Sequence, residues 1–476
     1  MALSANTVWE VRDTGSDGNG GGFVAEASGT DRSQQAAAHA TLTTLSTVHT
    51  TTEQINVSTT DYTVIAADVG NILQITGGTA TAGFYRIIAA DTVFNRWTVD
   101  RSVGTAGQTV VGAMGGALAS IAKAAGAMVA SNKVFVKGSF TSTVTTTLSV
   151  SVTPGSVTMP NRLIGYSTTR GDAGRAVLTL STSTGLIGLD ATGNGWWIEN
   201  IEVDCANLGT SKGIRTVFYS VVRNCKVHRF TSVGIEPTST SPITVVSANE
   251  ITNGTSAASG AISVVGNVAV IGNYIHDNAC TGIVAASGSN LMVVLNNVVT
   301  NNTGASSDGI QVWWACIVVG NTIHGNGRHG ISSTSDNTLI GSYWQNNSIS
   351  GNGGYGIEFA LSSGNPADSN WDGNAFGYPA NTSGSRNNMD NTTGINSVAP
   401  YTNVLDVTVT VGSQYINAAA NDYDLNDIAN QGALLRGAGL PETWPGNAAT
   451  LSNRDLGASQ HADPVGGGTR NVLIGG

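Results

Sequence analysis

Nine carboxylates fall within one repetitive stretch of this chain: Glu199, Glu202, Asp204, Glu236, Glu250, Asp277, Asp308, Asp336 and Glu358. Glycoside hydrolysis needs two carboxyl groups about 5 to 9 Å apart, one to donate a proton and one to attack or to activate water. Two-residue alternation puts Glu202 and Asp204 on one outward strand face, which makes them the best catalytic candidates; a solvated strand face is the plainer reading of the same pair. Glu236 and Glu358 each follow a Gly-Ile pair, but five repeats separate them, or roughly 24 Å at the inter-strand spacing, too far for joint chemistry. Arg215 shares the position of Glu236 one repeat earlier, and the two are expected to form a surface ion pair worth at most about 1 kcal/mol. A metal-dependent lyase would need a carboxylate cluster beside a basic residue. Arg215 and Lys226 lie near the first repeats, but no third acid lines up with them. His276 and His324 occupy one position two repeats apart, about 10 Å, which excludes a shared metal. Residues 421–427 alternate oxygen donors, yet lack the glycine and distal glutamate of a calcium loop and read as a turn. No metal and no cofactor is expected.

Aromatic residues offer a different chemistry. Trp196-Trp197 and Trp313-Trp314 are tandem pairs, and alternation turns one of each pair outward; Trp344 and Trp371 are further candidates. An outward tryptophan is a stacking platform for a sugar or an anchor of a subunit interface. Trp313, Trp314 and Trp344 are read in that way, with the interface preferred. The glycine-rich residues 15–23 lack the Lys-Ser/Thr or strand-helix frame of a phosphate cradle. Cys205, Cys225, Cys280 and Cys316 have no metal-type spacing and read as buried small apolar residues. A net charge of −10 leaves no basic footprint for nucleic acid. No apolar run approaches the roughly 20 residues of a membrane span. The opening residues 1–6 lack the charged and apolar regions of a secretory leader.

The elements that must hold these residues are announced by a repeat. Asn200, Asn224, Asn249, Asn273, Asn296, Asn321 and Asn347 recur at spacings of 24, 25, 24, 23, 25 and 26. Asn278, Asn301, Asn326 and Asn352 form a second series. Each repeat also carries a glycine followed at once, or after one residue, by isoleucine, as in Gly213-Ile214, Gly260-Ala261-Ile262 and Gly356-Ile357. Self-similarity at this period means a solenoid. The apolar residues between markers alternate in twos and are bounded by Gly, Asn and Ser, so they are strands. The fold class expected is all-β, a parallel β-helix in which like residues stack about 4.8 Å apart. A buried asparagine in such a stack bonds to its neighbours above and below, and Asn also tolerates the left-handed backbone of a corner. The first two repeats are offset by one residue from the rest. A composition of 11% charged residues and 61 glycines agrees with polar coils needing few ion pairs.

Three regions are expected. Residues 1–115 form a small N-terminal β-rich docking domain, with strands around residues 72–75, 84–88 and 97–99. Residues 116–395 hold an amphipathic cap helix over 116–130 and then the β-helix. Residues 396–476 form a C-terminal β/loop closing segment, ending in an apolar strand over 470–476 that needs a partner edge.

The asparagine and Gly-Ile coils, residues 13–19, the cap helix before Val134-Phe135-Val136-Lys137, and residues 454–460 together resemble the pectate-lyase-like right-handed parallel β-helix proteins of tailed bacteriophages. The resemblance spans residues 115–461 and is more specific for fold than for function. It implies a virion protein exposed on the particle, commonly a homotrimer. With no aligned carboxylates, the leading expectation is a non-enzymatic spike that decorates or cements the capsid. Its partners would be itself and the major capsid protein or other virion proteins. The alternative is a tailspike that binds or depolymerises host surface polysaccharide. A third is a non-catalytic glycan-binding adhesin.

Overall fold

The computed structural model describes residues 3–47, 51–142, 160–181, 186–191, 193–255, 260–285, 291–313, 316–333, 343–359, 375–377, 405–407, 414–420, 422–429, 431 and 433. Asp336, Trp314, Trp371 and residues 454–460 and 470–476 lie outside the described residues. The chain divides into two compact units. One comprises Met1–Ser142, Thr146–Thr179 and Leu189–Glu202; the other comprises Thr143–Thr145, Leu180–Gly188 and Val203–Gly476.

In the first unit an antiparallel sheet runs Ala40–Thr47, Thr109–Met114, Ile72–Gly78, Gly83–Asp91, Arg96–Val99, Gln54–Asn56. Its alternating strands bury Leu42, Leu73, Ile87, Trp97, Val99 and Val110 in one core. The strand Thr7–Arg12 does not belong to that sheet. It pairs in parallel with Lys133–Lys137, which pairs with Asn161–Tyr166, which pairs with Trp196–Glu199. A boundary at residue 115 therefore isolates the antiparallel sheet but leaves behind a strand that opens the parallel stack. The helix is shorter than expected, Ile121–Ala127, and buries Ile121, Ala124 and Ala125. Ser120 caps it by accepting from the Lys123 amide, and Asp17 accepts from the amides of Ala119 and Ser120. The glycine-rich segment thus fixes where the helix starts, and it lies close against the segment leading into it: a Cβ on Gly15 would stand 2.3 Å from the Leu118 carbonyl oxygen.

The second unit is a stack of three-stranded coils. Its most regular ladder is Ile214, Ile235, Ile262, Ile283, Ile310, Ile331 and Ile357, every one fully buried and aligned coil on coil. Val222, Val246, Val270, Val294, Val318 and Trp344 form a second inward row, and Val227, Ile251, Ile275, Val299, Ile323 and Ile349 a third. Each Gly of the Gly-Ile pairs stands where coils touch. A Cβ on Gly309 would lie 2.6 Å from the Gly330 carbonyl oxygen and 2.5 Å from Ile323 Cγ2. In the coil of Ile262, Ala261 rather than Gly260 takes this place, since the residue below it, Gly234, faces the Ala261 oxygen.

Inside the corners runs a continuous amide ladder. Asn249 donates to Asn273 at 2.9 Å, Asn273 to Asn297 at 2.9 Å, Asn297 to Asn321 at 3.0 Å and Asn321 to Asn347 at 2.9 Å. Each of these four amides also donates to a backbone carbonyl, so the buried amide N–H groups are satisfied. The expected series needs correction at three members. Asn200, Asn224 and Asn296 sit one residue earlier, at left-handed corners with φ of 56°, 53° and 54°. Ala248, Gly272, Gly320 and Asn346 hold the same corner in other coils. The adjoining ladder places belong to Ile201, Cys225 and Asn297. That removes the one-residue offset of the early repeats: the ladder begins at Asn249, whose Oδ1 accepts from the Cys225 amide at 2.9 Å. The second series is corrected likewise, since Asn301 turns a corner at φ 53° and Asn302 joins Asn278, Asn326 and Asn352.

Residues 422–425, within the run read from sequence as a turn, instead form a strand. Asp422–Leu425 pairs antiparallel with Tyr415–Asn417 in a hairpin.

Candidate functional site

Several titratable clusters occur among the described residues, and they differ in whether their polar atoms are already used. Glu10, fully buried in the first unit, accepts from Arg12 Nε at 2.7 Å, from Arg170 Nε at 2.9 Å and from the Tyr166 hydroxyl. Asp308, fully buried in the second unit, accepts from Arg328 Nε at 2.7 Å, from the His329 amide and from Ser332 Oγ. His329 in turn accepts from the Tyr355 amide at Nδ1, which leaves the proton on Nε2, 2.9 Å from Glu358. Both clusters are closed. Their charges neutralise one another and their oxygens are occupied, which is what buried charge requires for stability and leaves nothing for a ligand.

The outer face of the strands after the asparagine ladder is different. Lys226–His228, Glu250–Thr252, Tyr274–His276, Val298–Thr300, Thr322–His324 and Ser348–Ser350 stack in register. Their middle residues point into the core, so the flanking ones form two outward rows: Lys226, Glu250, Tyr274, Val298, Thr322, Ser348, and His228, Thr252, His276, Thr300, His324, Ser350. Lys226 Nζ lies 2.8 Å from Glu250. His276 stacks on Tyr274 with ring centroids 3.9 Å apart and planes at 18°. Its Nδ1 lies 2.8 Å from Asp277 and its Nε2 3.8 Å from Glu250.

Three polar atoms on this face, Tyr274 Oη, His276 Nε2 and Thr300 Oγ1, are shut off from solvent and make no hydrogen bond of full geometry. His276 is 9% exposed and Thr300 fully buried. Thr300 stands beside the hydroxyls of both Tyr274 and Tyr423, and its hydrogen bonding lowers both phenols against the burial that raises them. Burial, with Tyr423 and Asp277 nearby, pushes the Tyr274 phenol up, so it remains a neutral donor. From Thr300 onward the face is roofed by the hairpin. Tyr423 Oη accepts from Asn301 at 3.2 Å, Tyr415 Oη lies 3.2 Å from Ser348 Oγ, and Gln414 donates to Ser350 Oγ at 2.7 Å. His324 sits beneath both tyrosines, 5.4 and 5.7 Å from their rings.

The residues singled out from sequence fare unevenly. Asp204 is 8% exposed and bound by Arg229 through both of its oxygens. Burial works to raise its carboxyl, but the Arg229 and Ala206 hydrogen bonds and the His228 and Arg229 charges outweigh that and hold it low. Such a group is a poor proton donor. Glu202, partly exposed, falls in the first unit. Arg215 and Glu236 are neighbours in register, and Lys212 Nζ lies 2.7 Å from both Glu236 oxygens. Trp344 is not a surface platform: it is fully buried at the end of the valine row, and its Nε1 donates to Cys316 Sγ at 2.9 Å. The alternation that hides Trp344 turns Tyr343 outward. Trp313 is partly exposed. All four cysteines are free and buried. No group of three or more potential metal ligands occurs among the described residues. Sequence reasoning missed Tyr274, Thr300, Tyr415 and Tyr423. Tyr274 was findable, since it directly follows a ladder asparagine.

Residues 198–317 match the family model of the right handed beta helix region. No curated protein matches the sequence. Among solved structures the chain is similar to pectate lyase Pel9A, at 16% identity over 72% of this chain and 91% of that one, with a TM-score of 0.44. It is also similar to the A-module of the Azotobacter vinelandii mannuronan C-5 epimerase AlgE6, at 14% identity, 52% and 71% coverage and a TM-score of 0.35. An alginate lyase from Paenibacillus sp. str. FPU-7 follows at 10% identity, 53% and 95% coverage and a TM-score of 0.31. None of these likenesses points to a phage. Ladders, register and family match agree on one architecture, and the protein is a right-handed parallel β-helix.

Proposed function

We propose that this protein binds polysaccharide on the outer face that runs from Asp204 past His276, and that it binds without cleaving. The observation that carries this reading is the partly exposed Tyr274, stacked on His276 and set beside the partly open carboxylates of Glu250 and Asp277 on the outer face. An aromatic ring edged by polar groups offers a sugar both an apolar surface to pack against and acceptors for its hydroxyls. The ligand class is neutral rather than acidic: both cations on this face, Lys226 and Arg229, are already held by Glu250 and Asp204. Binding of dextran, mannan, polygalacturonate and alginate by isothermal calorimetry tests it. A neutral polymer should bind, and Tyr274→Ala should weaken it by about tenfold or more. Released oligosaccharide would overturn the non-catalytic reading.

A second reading is a homotrimeric, non-enzymatic spike on a phage virion, binding capsid or other virion proteins. What favours it is the doubly laddered interior, which makes a stiff rod whether or not anything binds its face. Sedimentation would report a trimer, and gold-labelled antibody would decorate particles; a monomer that labels no particle would remove this reading.

A further inference from the structure

We infer that the outer face of one sheet of the second unit is a self-association surface, covered face to face by a second copy of this chain about a twofold axis. The inference concerns a different face from that of Tyr274 and is independent of what binds there.

The three outer faces of the coils are not alike. One carries Lys226 and Glu250, and another Arg215, Glu236 and Glu358. The third lies outside the row of Val222, Val246, Val270, Val294 and Val318. Those residues already fill the core, so alternation leaves their neighbours free to be polar. They are apolar instead. The central outward row is Val221, Val245, Ala269, Val293, Ile317 and Tyr343, aligned coil on coil. All of them except Ala269 are partly exposed. Two residues earlier, at the corner, Tyr219, Ile243 and Leu291 are exposed at 36%, 48% and 37%. Two residues later, Ile271 and Leu295 continue the surface until the row closes at the buried Val319. Arg223 is the only charged side chain among the described residues of the three rows.

Size and charge together name the occupant. Six coils at about 4.8 Å and five residues of strand at about 3.3 Å make a face of roughly 29 by 16 Å. A contiguous apolar patch of this size marks an interaction surface. Pressed against its twin it covers roughly 900 Å² of flat footprint over two copies, and side-chain relief adds to this, toward the roughly 1,200 Å² at which specific pairs begin. In a ring of three each neighbour would receive about half of the face, which is too little for a specific contact. A face with no acid and one cation offers a charged partner almost nothing to pair with. An anionic bilayer repels a molecule of net charge −10. An identical uncharged face, with the same corrugation of about 4.8 Å, matches it in both chemistry and spacing.

The test is sedimentation equilibrium of the full chain from about 1 to about 100 μM, a span that brackets the affinity expected of a small apolar interface. Monomer and dimer should exchange over this range. Added salt should favour the dimer, because screening relieves the repulsion between two copies of like charge. Ile243→Lys and Val293→Lys each place an ammonium group in the contact and should weaken it about tenfold or more. Thr303→Lys, exposed at another corner of the same unit, adds the same charge and should leave the dimer unchanged. If Val293→Lys lowers the unfolding temperature, Ile243→Lys decides, because that side chain is already nearly half exposed in the single chain. A monomer at every concentration overturns the inference, and a monomer destabilised by Ile243→Lys would show that the chain covers the face itself. A trimer, a dimer that keeps its affinity in Ile243→Lys, or equal weakening by Thr303→Lys also overturns it.

Discussion

Two adjacent asparagines in this protein do different work. Asn297 is fully buried and stands in the ladder; it donates to Asn321 and to the Val270 carbonyl, and its Oδ1 accepts from both the amide and the side chain of Asn273. Asn296 holds a left-handed corner at φ 54° and its Oδ1 has no partner. Asn297→Ala should therefore strand several buried groups and destabilise by about 2 to 5 kcal/mol. Asn296→Gly should change stability by less than about 1 kcal/mol, because glycine accepts that φ freely and already holds the corner as Gly272 and Gly320. Urea unfolding of the two variants checks this, and equal losses would mean the ladder is misassigned. The contrast also shows where sequence reading ran out. The period and the residue type were legible, but Asn296-Asn297 and Asn301-Asn302 offer two candidates for one place, and only the hydrogen bonds choose between them. Corner and ladder favour the same side chain for separate reasons, backbone tolerance in one case and amide pairing in the other.

At the scale of elements, the solenoid strands were legible because their alternation is local, and the hairpin was not because its contacts are not. Tyr423 meets Asn301 across 122 residues, and nothing in the polar run around Asp422 and Asp424 announces a buried strand. The helix was legible as amphipathic but overextended, since its start is fixed by Asp17, about a hundred residues earlier in the chain. The hairpin carries a pH dependence. Burial beneath it lowers the His324 imidazole from 6.5 to about 4, against a smaller upward pull from Ser350. The unfolded chain therefore takes up a proton before the folded one does. The stabilisation is complete above roughly pH 6.5 and is lost as pH falls toward about 4. Thermal unfolding followed across that window should show a fall in midpoint that is shallower in His324→Gln. An identical slope in the variant would assign the acid sensitivity to other groups.

The whole molecule carries a net charge of −10, and that field acts on any polymer before the binding face does. A polyanion such as polygalacturonate is repelled over the screening length, which shortens from about 30 Å at 0.01 M salt to about 10 Å at 0.1 M. A neutral polymer feels no such term. If the face selects neutral sugars because Lys226 and Arg229 are already paired, two salt dependences follow. Affinity for dextran or mannan, whichever binds, should be nearly flat over that range. Any residual affinity for polygalacturonate should rise with salt, since added ions remove repulsion and there is no local attraction to lose. The opposite sign is the informative failure. Affinity for the polyanion that falls as salt is added would mean that Lys226 and Arg229 release their carboxylates to the ligand, and the face would then be a site for acidic sugars. Titration calorimetry at several salt concentrations with both polymers separates these cases, and Lys226→Gln assigns the term: it leaves the salt slope unchanged for a neutral ligand and flattens a falling one for an acidic ligand.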